Sequence, residues 1–170
     1  MAATCDVLVI GAGIAGCGIA SAFANQGRRV IVVERTLDAP DRIVGELLQP
    51  GGVSALHNLG LAQCLEGIEA TPVEGYHLYW KAEQATFWFC PVSGSSKSKG
   101  HSEAPTGRSF HHAKFVESLR RAIAHEPNVT LIESTAVELL RHRRTGAVTG
   151  AVCARLGFPL EKVRSWSMGT

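Results

Sequence analysis

The chain has 170 residues, 45% of them hydrophobic and 19% charged, with 17 basic against 15 acidic side chains and a formal net charge of +2. Such a composition suits one domain with a real core, is short for a complete cofactor enzyme, and shows no basic stripe of the kind that binds nucleic acid. Five cysteines (Cys5, Cys17, Cys64, Cys90, Cys153) are scattered without a CxxC pair, which argues against a disulfide framework or a zinc site and fits a reducing compartment. No cleavable signal peptide is expected before the first strand, and no run of about 18 apolar residues reads as a spanning helix.

In chain order, Cys5–Ile10 is a short β-branched run that reads as a buried parallel strand. Gly11–Gly16 make a tight turn, Ile14–Asn25 a closely packing helix with Gly27 as its cap, and Val30–Val33 the next buried strand, together a βαβ unit. Residues 36–51, with Pro40, Gly45, Pro50 and Gly51, read as a loop, and Val53–Leu59 as a short helix stopped by Gly60. Tyr76–Lys81 and Thr86–Cys90 read as two strands joined by a polar turn, with Phe87, Trp88 and Phe89 expected to pack in a core. Ser93–Ser102 (SGSSKSKGHS) is low-complexity and solvated.

His112–His125 reads as a helix with Phe115, Leu119, Ala122 and Ile123 on one face and its arginines opposite. Val129–Ile132, Ala136–Leu140 and Gly146–Val152 are strand-like, and Arg141–Arg144 (RHRR) is a solvated turn. From about Leu156 to Thr170 the chain shows no clear periodicity. The expected organisation is therefore a domain over 4–153 with a hairpin excursion at 75–107, followed by a divergent, disordered tail over 154–170.

Gly11-Ala12-Gly13-Ile14-Ala15-Gly16 is a GxGxxG turn that follows a strand and opens a helix, and the second strand ends in an acidic residue, Glu34. That context is what a dinucleotide-binding fingerprint requires. Gly11 permits the sharp turn, Gly13 lets the backbone approach a pyrophosphate, and Gly16 lets helix and strand pack closely. The helix N-terminus offers N–H groups and a partial positive charge to phosphates. Glu34 can accept hydrogen bonds from both ribose hydroxyls; its charge disfavours a 2′-phosphate, although Arg35 beside it leaves NADP an opening. The unit alone does not separate FAD from NAD.

The following segment, Asp41–Gly52, carries Arg42 among four glycine or proline residues. Such a backbone can pass close to a flavin, with Arg42 on phosphate or ribose, or can be a plain surface turn. His111 and His112 are adjacent, and neighbours on a helix diverge by about 100°, so they read as a helix start and no metal site is expected.

Several segments carry a family resemblance: DVLVIGAGIAG, VVER, DRIVGELLQPGG, LGL at Leu59–Leu61, EGY at Glu74–Tyr76 and GRSFHH at Gly107–His112. Over roughly residues 4–152 the chain resembles squalene epoxidase (squalene monooxygenase), in its fungal wording. The pair DRIVGELLQPGG and GRSFHH is the specific part, since other flavin monooxygenases share only the glycine motif. The resemblance implies an α/β, Rossmann-like FAD-binding domain of the glutathione-reductase and aromatic-hydroxylase type, here truncated. It implies epoxidation of squalene with O₂ to 2,3-oxidosqualene in sterol (ergosterol) synthesis, through a flavin C4a-hydroperoxide, at the cytosolic face of the endoplasmic reticulum membrane. Electrons come from NADPH through a separate flavoprotein reductase.

The same resemblance places FAD contacts on Ile14 and Ala15, Glu34 and Arg35, Arg42, Leu47, and Arg108, which is expected to open the helix after GRSFHH. It places Gln49 and Tyr76 at the active-site pocket. Full-length members carry a second flavin motif with an aspartate, a sheet over the squalene pocket and apolar C-terminal membrane helices, none matched here. The chain alone is therefore expected to bind FAD weakly or not at all and to lack epoxidase activity. Two alternatives stay open: another FAD-dependent hydroxylase, or a non-catalytic nucleotide-binding fragment.

Overall fold

Val30 to Val33 are all buried. Successive side chains on a strand point to opposite faces, so a strand buried at every position must be covered on both. The computed structural model describes residues 3–41, 45–90, 105–154 and 160–165 and shows how that cover is built. In chain order the elements are β1 (Ala3–Cys5), β2 (Val7–Ile10), α1 (Ile14–Ala24), β3 (Val30–Glu34), β4 (Gly45–Leu48), α2 (Pro50–Asn58), a single 3₁₀ turn (Ala62–Leu65), β5 (Thr71–Val73), β6 (Gly75–Trp80), β7 (Glu83–Trp88), β8 (Gly107–His111), α3 (His112–Ala124), β9 (Val129–Glu133), β10 (Thr135–Arg141), β11 (Val148–Ala154) and β12 (Glu161–Ser165). They fall into two units, Met1–Pro40 with Val116–Thr170, and Asp41–Phe115, so the stretch expected as one domain with a hairpin excursion divides at Pro40 and again inside α3.

In the first unit β2, β3 and β9 form a parallel sheet in the order β2-β3-β9, with Val9 beside Val32 and Val32 beside Leu131. The α1 crossover between β2 and β3 packs on this sheet with Cys17, Ala20, Ser21 and Ala24 buried. Ile31 and Val33 point the other way, into a cluster with Cys5, Ala151, Cys153 and Val163, flanked by Leu8, Ile132 and Ala136. That cluster is supplied by the second sheet, ordered β1-β12-β11-β10. The strand expected over Cys5–Ile10 is therefore two strands in different sheets, divided at Asp6. There the Asp6 carboxylate accepts from the Arg29 backbone N–H at 2.8 Å and pairs with its guanidinium at 2.9 Å. These bonds hold the Asp6 carboxyl below the usual carboxylate range.

The stretch after residue 153, expected to be a disordered tail, contributes β12. This strand runs parallel to β1, with Thr4 opposite Arg164, and antiparallel to β11, with Ala151 opposite Val163. Its sequence, Glu-Lys-Val-Arg-Ser, buries Val163, while Glu161, Lys162 and Arg164 stay exposed. So short an alternation is mute in sequence; its order comes from partners at the far end of the chain. Residues 155–159 and 166–170 lie outside the described residues.

In the second unit β8 is the middle of an antiparallel sheet ordered β4-β8-β5. Two expectations are corrected here. Residues 45–48, read as loop, pair as β4 with β8 (Gly45 opposite His111, Leu48 opposite Arg108). Arg108, expected to open a helix, sits within β8, and the helix begins only at His112. Neither strand has a local signature, since each opens on glycine, a poor strand former, lacks a β-branched run, and pairs at long range. The helix expected from Val53 starts at Pro50, a residue whose fixed φ suits the first helical turn.

The hairpin β6–β7 forms as expected, Tyr76 facing Phe87 and Trp80 facing Glu83. Phe87 and Trp88 are nonetheless 56% and 67% exposed, so the core role expected for them is wrong. Among the described residues the two strands pair only with each other, and a two-stranded ribbon has no covered face. The segment 93–102 lies outside the described residues. Among those described, no helix is long and apolar enough to cross a membrane.

Candidate functional site

The first unit ends its parallel strands at the glycine turn. Gly11 N–H still donates to Val33 O at 2.7 Å, extending the β2–β3 ladder by one bond before the backbone turns at a positive φ of 100°. That conformation favours glycine. A Cβ on Gly16 would stand 1.9 Å from Gly11 O, so α1 lies against the turn as closely as only glycine allows. Gly13 behaves differently: a Cβ there would meet no heavy atom within 4 Å. Gly13, Ile14 and Ala15 are exposed at the start of α1. The turn thus packs through Gly16 and stays open through Gly13, where the first N–H groups of a helix have no intrahelical partner.

Glu34, at the carboxyl end of β3, reaches back under this turn. Its Oε2 accepts the Ala12 N–H at 2.6 Å, and its side chain is only 16% exposed. Oε1 has a longer contact, accepting from Thr36 N–H at 3.4 Å. Arg35 follows and is exposed. A carboxylate held beside an open glycine turn at the carboxyl ends of parallel strands is the arrangement that receives the ADP half of a dinucleotide.

One contributor escaped sequence reading. Arg120 of α3, expected on a solvated face, is buried. Its Nε donates to Ala12 O at 2.9 Å, its Nη1 to Asp38 O at 2.9 Å, and its Nη2 lies 3.6 Å from Glu34 Oε2. The available signal was periodicity: Val116, Leu119, Arg120 and Ile123 fall at i, i+3, i+4 and i+7, the spacing of one helix face.

The remaining predicted residues belong to the second unit, except Arg42, which lies outside the described residues. Leu47 stands in β4, half exposed, opposite Ser109. Arg108 Nη1 donates to Thr106 Oγ1 at 2.6 Å and to Gly107 O at 2.9 Å, tying it to its own strand. Gln49 and Tyr76, distant in sequence, meet directly: Gln49 Nε2 donates to Tyr76 Oη at 2.9 Å. The Tyr76 ring also packs edge-on against Phe89, centroids 5.4 Å apart. His112 Nδ1 lies 2.6 Å from Glu46 Oε1, while His111 ends β8. Among the described residues no group of three or more side chains is placed to hold a metal.

Known proteins share this sequence and fold. The family described as FAD dependent oxidoreductase matches residues 6–42, the segment that holds the glycine turn and Glu34. Squalene epoxidase of Aspergillus fumigatus is 46% identical over 148 residues, which is 87% of this chain and 30% of that protein. The Schizosaccharomyces pombe squalene epoxidase is 44% identical over 147 residues, 86% of this chain and 31% of that one, and the Mus musculus squalene monooxygenase is 40% identical over 137, 79% and 23% respectively. The chain thus spans about a third or less of the relatives it matches. In fold it is similar to a myxobacterial FAD-dependent chondrochloren halogenase (TM-score 0.77, 22% identity, 96% of this chain and 36% of that one). It also resembles p-nitrophenol 4-monooxygenase of Pseudomonas putida (TM-score 0.73, 16% identity, 97% and 40%). In sequence, then, the chain is similar to about a third of the length of squalene epoxidases, and residues 6–42 match the family described as FAD dependent oxidoreductase.

Proposed function

We propose that this chain supplies the FAD-binding part of an enzyme that epoxidises squalene to 2,3-oxidosqualene with O₂. The observation that carries the reading is the glycine turn that stays open at Gly13 while Glu34 is held 2.6 Å from Ala12 N. In this reading the backbone at Gly11, Gly13, Ile14, Ala15 and Gly16 takes the pyrophosphate, and Glu34 with Arg35 takes the adenosine ribose. Arg42, Leu47 and Arg108 are the further cofactor contacts, and Gln49 and Tyr76 belong to the substrate pocket, where their mutual hydrogen bond fixes the phenol. Bound FAD supplies the redox and oxygen chemistry, which no side chain here can perform. The chain's own residues bind, orient and exclude water.

The negative charge of Glu34 repels a ribose 2′-phosphate, which supports FAD over NADPH as the occupant of this turn. The squalene specificity, the reductase and the endoplasmic reticulum membrane, approached from its cytosolic face, come to this chain through its resemblance to longer squalene epoxidases. A chimera tests the reading: residues 4–152 replace the matching segment of the Aspergillus fumigatus enzyme. The expected result is a yellow protein that forms oxidosqualene. A chimera that folds and retains FAD yet leaves squalene untouched would overturn the substrate assignment, and one that folds without flavin would overturn the cofactor assignment.

A further inference from the structure

We propose that the turn between β10 and β11 is an electrostatic docking site for an anionic lipid surface. Leu139–Ala154 carries Arg141, His142, Arg143 and Arg144 and no acidic residue, and all four of these side chains are exposed. The turn is built without its two central arginines. His142 N–H donates to Ala147 O at 2.8 Å, Gly146 N–H donates to His142 O at 2.9 Å, and Gly146 takes a φ of 72°. Thr145 N–H donates to His142 Nδ1 at 3.3 Å. Arg141 is drawn back along the turn, its Nη1 donating to Gly146 O at 3.1 Å. The side chains of Arg143 and Arg144 have no partner among the described residues. A turn held by other groups thus presents two unspent guanidiniums in a fixed place, which lowers the ordering cost of binding.

The charge continues over the sheet. Arg164 of β12 is exposed and stands opposite Gly150 of β11, which pairs with Leu140 of β10. Strands lie about 4.8 Å apart, so Arg164 starts about 10 Å from Leu140. The acidic residues of the sheet bracket this patch: Glu138 shares Val152 as a neighbour with exposed Lys162, and Glu161 begins β12 opposite Cys153. Thr135–Ala154 contains no Phe, Tyr or Trp, so the patch lacks the aromatic anchor around which specific protein interfaces are organised. Beside the arginines are Val148, opposite Arg141, and Leu139, 50% and 45% exposed. A convex basic tip flanked by short aliphatic side chains suits a lipid surface, with guanidiniums among the anionic headgroups and methyl groups at the boundary beneath them. This charge acts whether or not the glycine turn holds FAD.

The test mixes the full chain at low salt with vesicles of phosphatidylcholine alone, or of phosphatidylcholine with about 30% phosphatidylserine, and reads the bound fraction by sedimentation. Binding is expected to the phosphatidylserine vesicles and not to phosphatidylcholine alone, with release in about 0.5 M NaCl, where charges are screened within a few ångströms. An arginine near such a surface contributes about fivefold in affinity, so Arg143→Gln combined with Arg144→Gln should weaken binding roughly twentyfold. Neither side chain has a partner to lose, so the variant should melt with the parent. A control of equal net charge, Lys81→Gln combined with Arg121→Gln, removes two exposed charges elsewhere and should bind within about twofold of the parent. An equal loss in the control would assign the binding to net charge and overturn the site. Equal binding to both vesicles, or to neither, would overturn it too. A parent that ignores both vesicles yet is retained by poly-glutamate through Arg143 and Arg144 would overturn the lipid assignment in favour of an acidic protein.

Discussion

Two glycines of the same turn should respond to the same substitution in opposite ways. In Gly16→Ala the new methyl would stand 1.9 Å from Gly11 O, 3.0 Å from Gly11 C and 3.4 Å from Val9 Cγ1. A relaxed carbon–oxygen contact is about 3.3 Å, so the helix and the turn must separate by about 1.4 Å. The obstacle is backbone, already turned at a φ of 100° and bonded to Val33 O, and it cannot swing aside as a side chain can. Overpacking of this kind costs about 3 kcal/mol, and the better helix propensity of alanine returns about 1 kcal/mol. The net loss of about 2 kcal/mol lowers the melting temperature by roughly 4–8 °C for a chain of this size.

In Gly13→Ala no heavy atom lies within 4 Å and the backbone φ of −82° is open to alanine. Stability should change by less than about 1 kcal/mol, the difference in N-cap preference. The methyl instead occupies the approach to the helix N-terminus, and ADP affinity should fall by about tenfold or more. Circular-dichroism melts and ADP titrations of both variants check this. If Gly16→Ala melts with the parent while Gly13→Ala melts lower, the division of the turn into a packing glycine and a ligand glycine is refuted.

Other expectations are independent of that pair. Asp6 is held below its ordinary pKa by Arg29, so its contribution is present above the unfolded-state carboxylate pKa and is lost as pH falls through the lower folded value. The melting-temperature gap between the parent and Asp6→Asn should accordingly be widest at neutral pH and close under acid; a gap that widens under acid contradicts the pairing. Burial raises the thiol pKa of Cys5 and of Cys153, and Cys17 and Cys64 are also buried, while Cys90 is exposed. One thiol, Cys90, should react quickly with Ellman's reagent in the native chain and the other four only after unfolding, as mass spectrometry of the labelled peptides would read. Tyr76→Phe removes the partner of Gln49 Nε2 at a position 37% exposed. Water can replace the lost bond there, so the melting temperature should move by no more than about 1 kcal/mol allows, whereas in the chimera oxidosqualene formation should fall.

Local pattern was enough for much of this protein. A β-branched run, a GxGxxG turn and an acidic residue ending the next run specify a βαβ unit outright, because the turn, the helix start and the buried strand each depend on residues within a few positions. The amphipathic stripe of α3 and the alternation of β6 and β7 were legible for the same reason. What the sequence left undetermined depended on partners remote along the chain. Residues 45–48 are a strand because β8 lies beside them, Arg108 belongs to a strand because β4 and β5 flank it, and Glu161–Ser165 is ordered because β1 and β11 accept it. Phe87 and Trp88 alternate as core residues do, yet no second layer covers them among the described residues.

The candidate site divides along the same line. Gly11, Gly13, Gly16 and Glu34 are determined by sequence, since their spacing is itself the motif. Tertiary structure alone decided that Glu34 binds the Ala12 amide, that Gln49 meets Tyr76, and that Arg120 is buried beneath the turn. A charge on a helix reads as solvated until a neighbouring element supplies a carboxylate and two carbonyls to receive it. The periodicity of α3 puts Arg120 on the apolar face, but which groups receive its guanidinium is a property of packing that no pattern within the helix encodes.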